Sequence, residues 1–335
     1  GRIQHLHISD MRIDPVLAGR IAEMPSLVEL SMSRVTMENP SGISLAFEPA
    51  SFSVVTLQDA PTHAMQMLRS VSPKIKQLRL EGAWVTADAL RDLSILHSVR
   101  TLAFVGTGIT NGGLSFVQRL KSLEALEFEE ESINDLSPIY LRDLPLTSMI
   151  CRCERLGDAG ARHMARLSTL QHLTLEGSRI SPSGILSLAK LDALLELSLT
   201  VQEIDGVAIE SIAGLPALER LNIIGHGPKG AALASLAKAS NLRSLTLRIP
   251  ELNDSLIPTI NQLQRLGTLD LKGTSISDRG LSKLRALPSL RNLNLSGTRI
   301  SRSNFGAIGA LHALEALDLS YTDVVDEAVR ALAPL

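Results

Sequence analysis

Three groups of residues in this chain have types and spacings that chemistry uses. In the first, Gly225, Gly227 and Gly230 fit the GxGxxG pattern, which cradles a dinucleotide phosphate between a strand and a helix. Pro228 stands inside the pattern, and a proline there removes a backbone N–H group and restricts the turn that the phosphate would need. We therefore interpret this stretch as a structural turn and not as a nucleotide site.

The other two groups are pairs of residues two positions apart. His5 and His7 lie on one side of a predicted strand and could share a metal ion, but no third ligand accompanies them. Cys151 and Cys153 have a poor geometry for bonding to each other within a strand. We expect structural cysteines in a reducing compartment, with a metal or redox role as the alternative.

Catalytic patterns are not found in the sequence. No Ser-His-Asp order, HExxH motif or pair of carboxylates can be picked out. We expect neither an enzyme nor a bound cofactor.

Charged side chains occupy the predicted exposed positions of successive strands. His172, Glu196 and Arg220 follow one another in three repeats, and their alternating character predicts a cross-strand ladder of salt bridges. The same alternation is predicted for Glu129, Arg152 and Glu176.

Two clusters of charge are not explained by such pairing. Glu127, Glu129, Glu130 and Glu131 crowd four carboxylates into one repeat. Like charges repel and cost stability unless a partner or a counter-ion neutralises them. The second cluster places Arg248 and Lys272 at the same position of adjacent strands, with Asp270 beside them. A solvated, tolerated face is the alternative for both clusters.

The elements that position these residues recur along the whole chain. An LxxLxL pattern returns every 24 residues, with a spacing of 25 before Val55 and of 23 before Leu78 and Met149. The middle apolar residues are Leu6, Leu30, Val55, Leu78, Leu102, Leu126, Met149, Leu173, Leu197, Leu221, Leu245, Leu269, Leu293 and Leu317. The series predicts about fourteen structural repeats.

Within each repeat the apolar period changes from two to that of a helix. The start of each helix is marked by cap residues such as Ser277-Asp278, Thr110-Asn111 and Gly157-Asp158. One strand and one helix per repeat indicate an α/β leucine-rich repeat solenoid, a horseshoe with a parallel sheet on its concave face.

Two stretches depart from the pattern. Residues 33–53 lack a clean helical period and contain Asn39-Pro40-Ser41-Gly42, which we interpret as an irregular connection on the convex side, with a binding insertion as the alternative. In residues 246–260, Ile249-Pro250 and Pro258 disturb the turn. We expect residues 1–335 to form one repeat domain. Neither end has a dedicated polar cap, so we also expect a fragment of a longer protein.

The composition restricts the classes of partner. The 335 residues include 33 basic and 35 acidic side chains, for a net charge of −2. This balance gives no indication of a nucleic-acid footprint or of an anionic membrane surface as partner. No apolar run approaches the roughly 18 residues of a membrane helix.

Several repeats resemble those of a known family. Residues 156–165 (LGDAGARHMA) and 230–237 (GAALASLA) are similar to the GALA-type leucine-rich repeats of bacterial plant-pathogen effectors. Residues 276–281 (ISDRGL) are also similar to repeats of eukaryotic F-box substrate receptors. The resemblance implies a role beside an F-box that docks onto a host ubiquitin-ligase adaptor, although no F-box-like segment is visible in this sequence.

We therefore expect a protein-recognition module. The resemblance implies the target-binding part of a secreted bacterial effector or of a ubiquitin-ligase-linked protein, delivered into a host cell and bound to a host target or a ubiquitination component. The alternative is a scaffold that only spaces flanking domains. The predicted contacts on the concave face are Arg248, Asp270, Lys272, Glu127, Glu129, Glu130, Arg220 and Tyr321.

Overall fold

The structure is a computed structural model that describes residues 2–228, 230–285, 287–301, 305–325, 330 and 332. The chain forms two compact units: unit 1 is Gly1–Leu156 and unit 2 is Gly157–Leu335. Each unit repeats a short strand followed by a short helix or a helical turn. The predicted α/β repeat fold is confirmed, and the assignment of residues 1–335 to one domain stays a prediction.

Parallel strands form the sheet of unit 1. Seven of the strands among its described residues lie side by side in chain order, and the short strands β2 and β4 pair with each other. The strands are β1 (His5–Ser9), β2 (Arg12–Ile13), β3 (Glu29–Ser33), β4 (Thr36–Met37), β5 (Val54–Gln58), β6 (Gln77–Glu81), β7 (Thr101–Val105), β8 (Ala125–Glu129) and β9 (Ser148–Arg152).

The connections of unit 1 are short because a repeat of about 24 residues leaves room for only one or two helical turns. The helices are α1 (Pro15–Ala22), α2 (Pro40–Ala46), α3 (Ala87–Arg91) and α4 (Asn111–Val117). Tighter 3-10 turns cover Ala64–Leu68, Asp92–Ile95 and Ser137–Leu141.

Unit 2 repeats the same plan with seven parallel strands among its described residues. The strands are β10 (His172–Glu176), β11 (Glu196–Glu203), β12 (Arg220–His226), β13 (Ser244–Arg248), β14 (Thr268–Asp270), β15 (Asn292–Asn294) and β16 (Ala316–Asp318). The helices are α5 (Asp158–Met164), α6 (Pro182–Leu188), α7 (Gly206–Ala213), α8 (Ile257–Ile260), α9 (Asp278–Leu281) and α10 (Gly306–Gly309). The 3-10 turns are Gly230–Lys238 and Asp254–Leu256. None of the helices in the described ranges combines the length and apolar character that crossing a bilayer requires.

The core of each unit is the column of middle apolar residues. Leu102 lies opposite Leu126 in unit 1, and Leu221 lies opposite Leu245 in unit 2. The twelve middle positions between the first strand and the last are at most 2 % exposed. A fully buried leucine contributes roughly 2 kcal/mol, so this column holds each sheet against its helices. The prediction that the middle leucines point inward is confirmed.

The predicted irregular connection contains a helix. Asn39 has a φ of 55° and its side chain accepts a hydrogen bond of 3.0 Å from the N–H group of Gly42, which starts α2. Pro40 occupies the first turn, where its missing N–H group costs nothing. The buried Ile43 packs this helix onto the core. The prediction of an irregular stretch is therefore wrong for residues 40–46.

Polar ties join the helix starts of successive repeats in unit 2. Asp254 accepts bonds of 2.8 and 2.7 Å from the N–H group and the hydroxyl of Ser277. The same two bonds join Asp158 to Ser181 and Asp278 to Ser301. Ser277 also caps α9 as predicted, because its hydroxyl accepts from the N–H group of Arg279 at 3.2 Å.

A glycine leaves room for two of these aspartates, Asp254 and Asp158. A Cβ atom at Gly280 would lie 2.3 Å from Asp254 Oδ1, and one at Gly184 would lie 2.4 Å from Asp158 Oδ1. In these two repeats the serine and the glycine three residues later therefore accommodate the aspartate of the repeat before.

Candidate protein-binding surfaces

The strand face of unit 2 is the side of β10–β15 that points away from the buried leucines. It consists of His172, Thr174, Glu196, Ser198, Arg220, Asn222, Ser244, Thr246, Arg248, Thr268, Asp270, Asn292 and Asn294. Each of these parallel strands contributes two or three of the polar side chains, in register with the next strand. This face is the first candidate surface.

The predicted ladder across β10, β11 and β12 is confirmed. Glu196 Oε2 accepts a hydrogen bond of 2.9 Å from Arg220 Nε and lies 3.2 Å from His172 Nδ1. Burial alone would raise the pKa of Glu196, but the hydrogen bonds of Arg220 and His172 outweigh burial and lower it. Arg220 is thus fixed in place while part of its side chain stays exposed.

Arg248 and Asp270 form a charge pair joined by two hydrogen bonds on this face. Asp270 Oδ2 accepts from Arg248 Nη2 at 2.7 Å and from Nε at 3.2 Å. The second oxygen, Oδ1, accepts from the backbone N–H group of Lys272 at 2.9 Å. Asp270 is only 8 % exposed, whereas the side chain of Arg248 is 42 % exposed. The prediction that this cluster is unpaired is wrong for Arg248, and Asp270 acts on the surface through that arginine.

Lys272 and Tyr321 extend the surface beyond the strand ends. Lys272 is exposed, and its positive charge adds to the hydrogen bonds of Ser320 in lowering the pKa of Asp318. Tyr321 is 90 % exposed and follows β16 with a φ of 57°. An exposed aromatic ring is the kind of group that protein interfaces enrich.

Asn222 is a surface residue that the sequence analysis missed. A cleft of about 220 Å³ on the strand face is lined by Glu196, Leu197, Arg220, Leu221, Asn222, Ser244 and Thr246. Asn222 Nδ2 donates to Ser198 Oγ at 2.9 Å, whereas Asn222 Oδ1 is buried with no partner among the described residues. A buried acceptor without a donor is costly, so a donor from a partner would be favourable here. Its place two residues after Arg220 in one strand was the available signal.

The acidic cluster of unit 1 is largely paired. Glu127 Oε1 lies 2.8 Å from Arg152 Nη1, and Glu127 Oε2 lies 3.6 Å from Arg79 Nη1. Arg79 reaches Glu127 across the intervening strand, where the small Ala103 stands between them in the register. The prediction of unexplained crowding is therefore wrong for Glu127.

Glu130 is a structural residue. The residue is 4 % exposed, and its carboxylate accepts from the N–H group and the hydroxyl of Thr107 at 2.6 and 2.7 Å, and from the N–H group of Gly108 at 2.8 Å. Glu130 thus binds the turn of the preceding repeat, and the prediction that it contacts a partner is not supported by its position. Glu129 is half exposed and lies 3.8 Å from Arg152.

A second candidate surface lies beside this cluster in unit 1. A cleft of about 780 Å³ opens where β7, β8 and β9 end. Its lining includes the exposed carboxylates of Glu129, Glu131 and Glu154 together with Arg152 and Arg155. The arrangement leaves an acidic rim around a wide opening.

The glycine motif does not form a phosphate cradle. The carboxylate of Glu251 lies 2.8 Å from His226 Nδ1 and accepts from the N–H group of Gly227 at 3.4 Å. A carboxylate at this amide repels a phosphate, in agreement with the structural interpretation of the turn. Lys229 of the motif lies outside the described residues.

The histidine pair bonds across strands. His5 Nδ1 lies 2.8 Å from Glu29, and His7 Nδ1 lies 3.1 Å from Ser31 Oγ. In the described part of the chain, no group of three or more His, Cys, Asp or Glu side chains is placed to hold a metal ion.

The cysteine prediction requires a correction. Cys151 and Cys153 form a disulfide, with Cα atoms 5.4 Å apart and both side chains fully buried. Strand β9 ends at Arg152, so the chain leaves the extended conformation between the two cysteines and brings them within bonding range. The predicted reducing compartment loses this support and stays a prediction.

The chain matches known families of repeat proteins. The profile of the leucine-rich repeat region family matches residues 56–315, and a second leucine-rich repeat profile matches residues 310–333. The chain belongs to the leucine-rich repeat family. Domains of this family generally recognise other proteins.

Solved leucine-rich repeat structures share the fold at low sequence identity. The internalin inlF of Listeria monocytogenes is 20 % identical over 96 % of this chain and 88 % of that chain, with a TM-score of 0.65. The TLR13–ssRNA13 complex gives 20 % identity over 90 % of this chain and 48 % of that chain, with a TM-score of 0.62. The Drosophila Toll–Spatzle complex gives 16 % over 95 % and 55 %, with a TM-score of 0.53. No curated protein matches the chain.

Proposed function

We propose that this leucine-rich repeat chain binds another protein, and that the strand face of unit 2 around Arg248 is the main contact. One observation carries the proposal. The guanidinium of Arg248 is held by two hydrogen bonds to a buried carboxylate, yet nearly half of its side chain stays exposed. An arginine arranged in this way is positioned before a partner arrives.

Positioning of this kind favours binding. Ordering a long side chain at an interface costs about 0.5–1.5 kcal/mol, and Asp270 removes part of that cost. The planar guanidinium keeps further N–H groups for a carboxylate of the partner, and charge-assisted bonds are the stronger ones. Lys272 adds a second positive charge beside it. The chemistry fits an acidic segment of a protein partner.

The neighbouring groups extend this contact. Arg220 and the unpartnered acceptor of Asn222 lie further along the same face, and Tyr321 offers an apolar ring at the far strand ends. The net charge of −2 favours a protein over a nucleic acid as the partner.

The test is a matched pair of charge reversals in the full chain. Arg248→Glu with Lys272→Glu changes the proposed contact, and Lys190→Glu with Arg279→Glu makes the same change of charge at exposed positions elsewhere in unit 2. Candidate partners captured by cross-linking are purified, and their affinity for each variant is measured by titration. We expect the first variant to lose about tenfold or more in affinity and the control to lose little. Equal affinities for the two variants would refute the assignment of the surface.

We further propose the setting of a delivered bacterial effector or a ubiquitin-ligase-linked protein, in a reducing compartment where the Cys151–Cys153 disulfide would be reduced. The similarity of residues 156–165 and 230–237 to GALA-type repeats supports this setting. Alkylation of Cys151 and Cys153 after acid quenching and unfolding of the protein taken from host cytoplasm, with sequencing of the flanking reading frame for an F-box or ligase domain, tests it. Disulfide-bonded cysteines and the absence of both domains would contradict the proposal.

A scaffold role is the second candidate, and a specific observation favours it. The ladder charges satisfy one another, with Glu196 between His172 and Arg220 in unit 2. A face built only to stabilise itself would look the same. Unchanged interactions after the charge reversal at Arg248 and Lys272 would support this role.

A further inference from the structure

A column of residues immediately before the strands forms ion pairs from one repeat to the next. Arg100 and Glu124 pair at 2.7 Å in unit 1, and Arg243 Nε lies 3.6 Å from Glu219 in unit 2. Arg291 and Glu315 form the same kind of pair. Opposite charges therefore pair at three of the four places where charged residues of this column are neighbours, and the fourth, Lys76 before Arg100, brings like charges together.

The alternation is interrupted at one position in unit 2. The column reads Glu219, Arg243, Gly267, Arg291 and Glu315 over five successive repeats. Arg243 pairs with Glu219 and Arg291 pairs with Glu315, so each arginine pairs with the glutamate on the side away from Gly267. Between the two arginines, where the alternation would place an acid, the chain has a glycine without a side chain.

The backbone does not require this glycine. Gly267 has the same hydrogen bonds as the rest of the column: its N–H group donates to Arg243 O and its carbonyl accepts from the N–H group of Arg291, both at 2.8 Å. A Cβ atom at Gly267 would lie 3.5 Å from the nearest atom, which is ordinary contact, and its φ lies outside the left-handed region. The missing side chain therefore leaves an opening that the fold itself does not need.

The opening is a cleft with three arginines. Its volume is about 440 Å³, and its lining is Arg243, Arg265, Gly267, Ser289 and Arg291. Arg265 donates to the neutral Asn241 Oδ1 at 3.0 Å and makes no ion pair with any residue that the structure describes. Three guanidinium groups thus surround a space that contains no carboxylate.

We propose that this cleft binds an oxyanion, a carboxylate or a phosphate carried by a ligand, in the place of the missing acidic side chain. Guanidinium groups recognise both anions through paired N–H donors, and two or more oxygens are needed to engage several arginines. The site lies on the edge where the strands begin, apart from Arg248, and it stands whether or not the strand face binds a protein.

The test places an acidic side chain of the protein itself into the cleft, at Gly267. Inorganic phosphate and a hexaglutamate peptide are titrated calorimetrically into the full chain at constant ionic strength, with chloride as the reference anion. We expect binding to the natural chain, a loss of about tenfold or more in affinity in Gly267→Glu, and a change of less than about threefold in the matched control Gly267→Ala. Gly267→Glu supplies the missing carboxylate, so its midpoint of thermal unfolding should rise above that of Gly267→Ala.

The outcomes separate the possible ligands. Tighter binding of phosphate identifies a phosphate source, and tighter binding of the peptide identifies a carboxylate source. Arg265→Gln provides an independent variant, with an expected loss of about tenfold if Gly267→Glu does not fold. The proposal is overturned if neither probe binds more strongly than chloride, or if Gly267→Glu binds as well as the natural chain. Tight binding of single-stranded polyuridine that ignores Gly267→Glu would also overturn it in favour of a diffuse nucleic-acid surface.

Discussion

Two stretches of the chain carry opposite imbalances of charge and handle them differently. Residues 121–156 of unit 1 contain eight acidic and four basic residues, and residues 241–300 of unit 2 contain nine basic and four acidic residues. In unit 1 two of the carboxylates are used within the fold, with Glu130 buried on a turn and Glu127 between two arginines, while Glu129, Glu131 and Glu154 stay exposed. In unit 2 the arginines stay at the surface, around Arg248 and around Gly267.

The difference follows from the chemistry of the two groups. A carboxylate only accepts hydrogen bonds, and turns offer it free N–H groups at short range. A guanidinium has five donors on a long stem, and no single turn offers enough free acceptors to bury it. An acidic excess can thus become structure, whereas an arginine excess is displayed to solvent and to ligands.

Among the substitutions that test this comparison, we expect the largest change in the free energy of unfolding at Glu130. Glu130→Ala removes the acceptor of the buried N–H group and hydroxyl of Thr107 and of the part-buried N–H group of Gly108, and each unpaired buried group costs about 1–3 kcal/mol. We expect a loss of about 3 kcal/mol in the free energy of unfolding, measured by chemical denaturation.

Glu131 provides the matched control for Glu130. It is the next residue in the chain and is exposed, so Glu131→Ala should change the free energy of unfolding by no more than about 0.5 kcal/mol. Similar losses in the two variants would show that the excess carboxylates of unit 1 are not divided between structure and surface.

The next effect concerns the acids that unit 2 does use within its fold. Gly280→Ala places a Cβ atom 2.3 Å from Asp254 Oδ1, which is closer than the two atoms can approach. We expect it to lower the free energy of unfolding by about 2 kcal/mol. In an Asp254→Ala background the obstructing atom is gone, and the same glycine substitution should cost about 1 kcal/mol less. Additive costs in this double-mutant cycle would mean that the glycine serves another purpose.

The fold could be predicted from the sequence because one regular spacing along the chain determines it. Apolar residues that return every 24 positions must lie opposite one another in parallel strands, and Leu197, Leu221 and Leu245 do so. Local signals with two meanings were less informative. Asn39 followed by Pro40 is compatible with a turn and with a helix start, and only packing of Ile43 onto the core decides between them.

The candidate sites could be predicted only in part. Register placed Arg248 and Asp270 on one face, but whether a charge is free depends on how far side chains reach and which of them are buried. Arg79 reaches two strands away to Glu127, and Glu130 turns inward to Thr107. The cleft at Gly267 was missed because a glycine in this position has no local signal, and it stands out only when the column of neighbours is known.

A smaller effect should show whether Asp270 stabilises the protein through its bonds to the Arg248 guanidinium or through its bond to the Lys272 backbone. Asp270→Asn keeps an oxygen for the N–H group of Lys272 but removes the charge that holds the guanidinium, which should cost about 1 kcal/mol of unfolding free energy. The double variant Arg248→Gln with Asp270→Asn should recover part of this cost, because no unpaired charge is then left beside the buried site. No recovery in chemical denaturation would show that Asp270 stabilises the turn alone.

The smallest effect is expected in acid, at the ladder of unit 2. Hydrogen bonds from Arg220 and His172 lower the pKa of Glu196 from its ordinary value of 4.5, despite the opposing effect of burial. A carboxyl group whose pKa is lowered on folding stabilises the native state above its unfolded pKa and loses this contribution as the pH falls through the folded value. The natural chain should therefore lose slightly more stability than Glu196→Gln between about pH 4.5 and the lowered pKa, and the two should run parallel above that window. Unfolding free energies measured across this range at constant ionic strength give the difference directly. If Glu196→Gln loses more unfolding free energy in acid than the natural chain, the ladder does not stabilise the carboxylate of Glu196. The charges of unit 2 would then be exposed at the surface without contributing to stability, even where an oppositely charged side chain lies beside them.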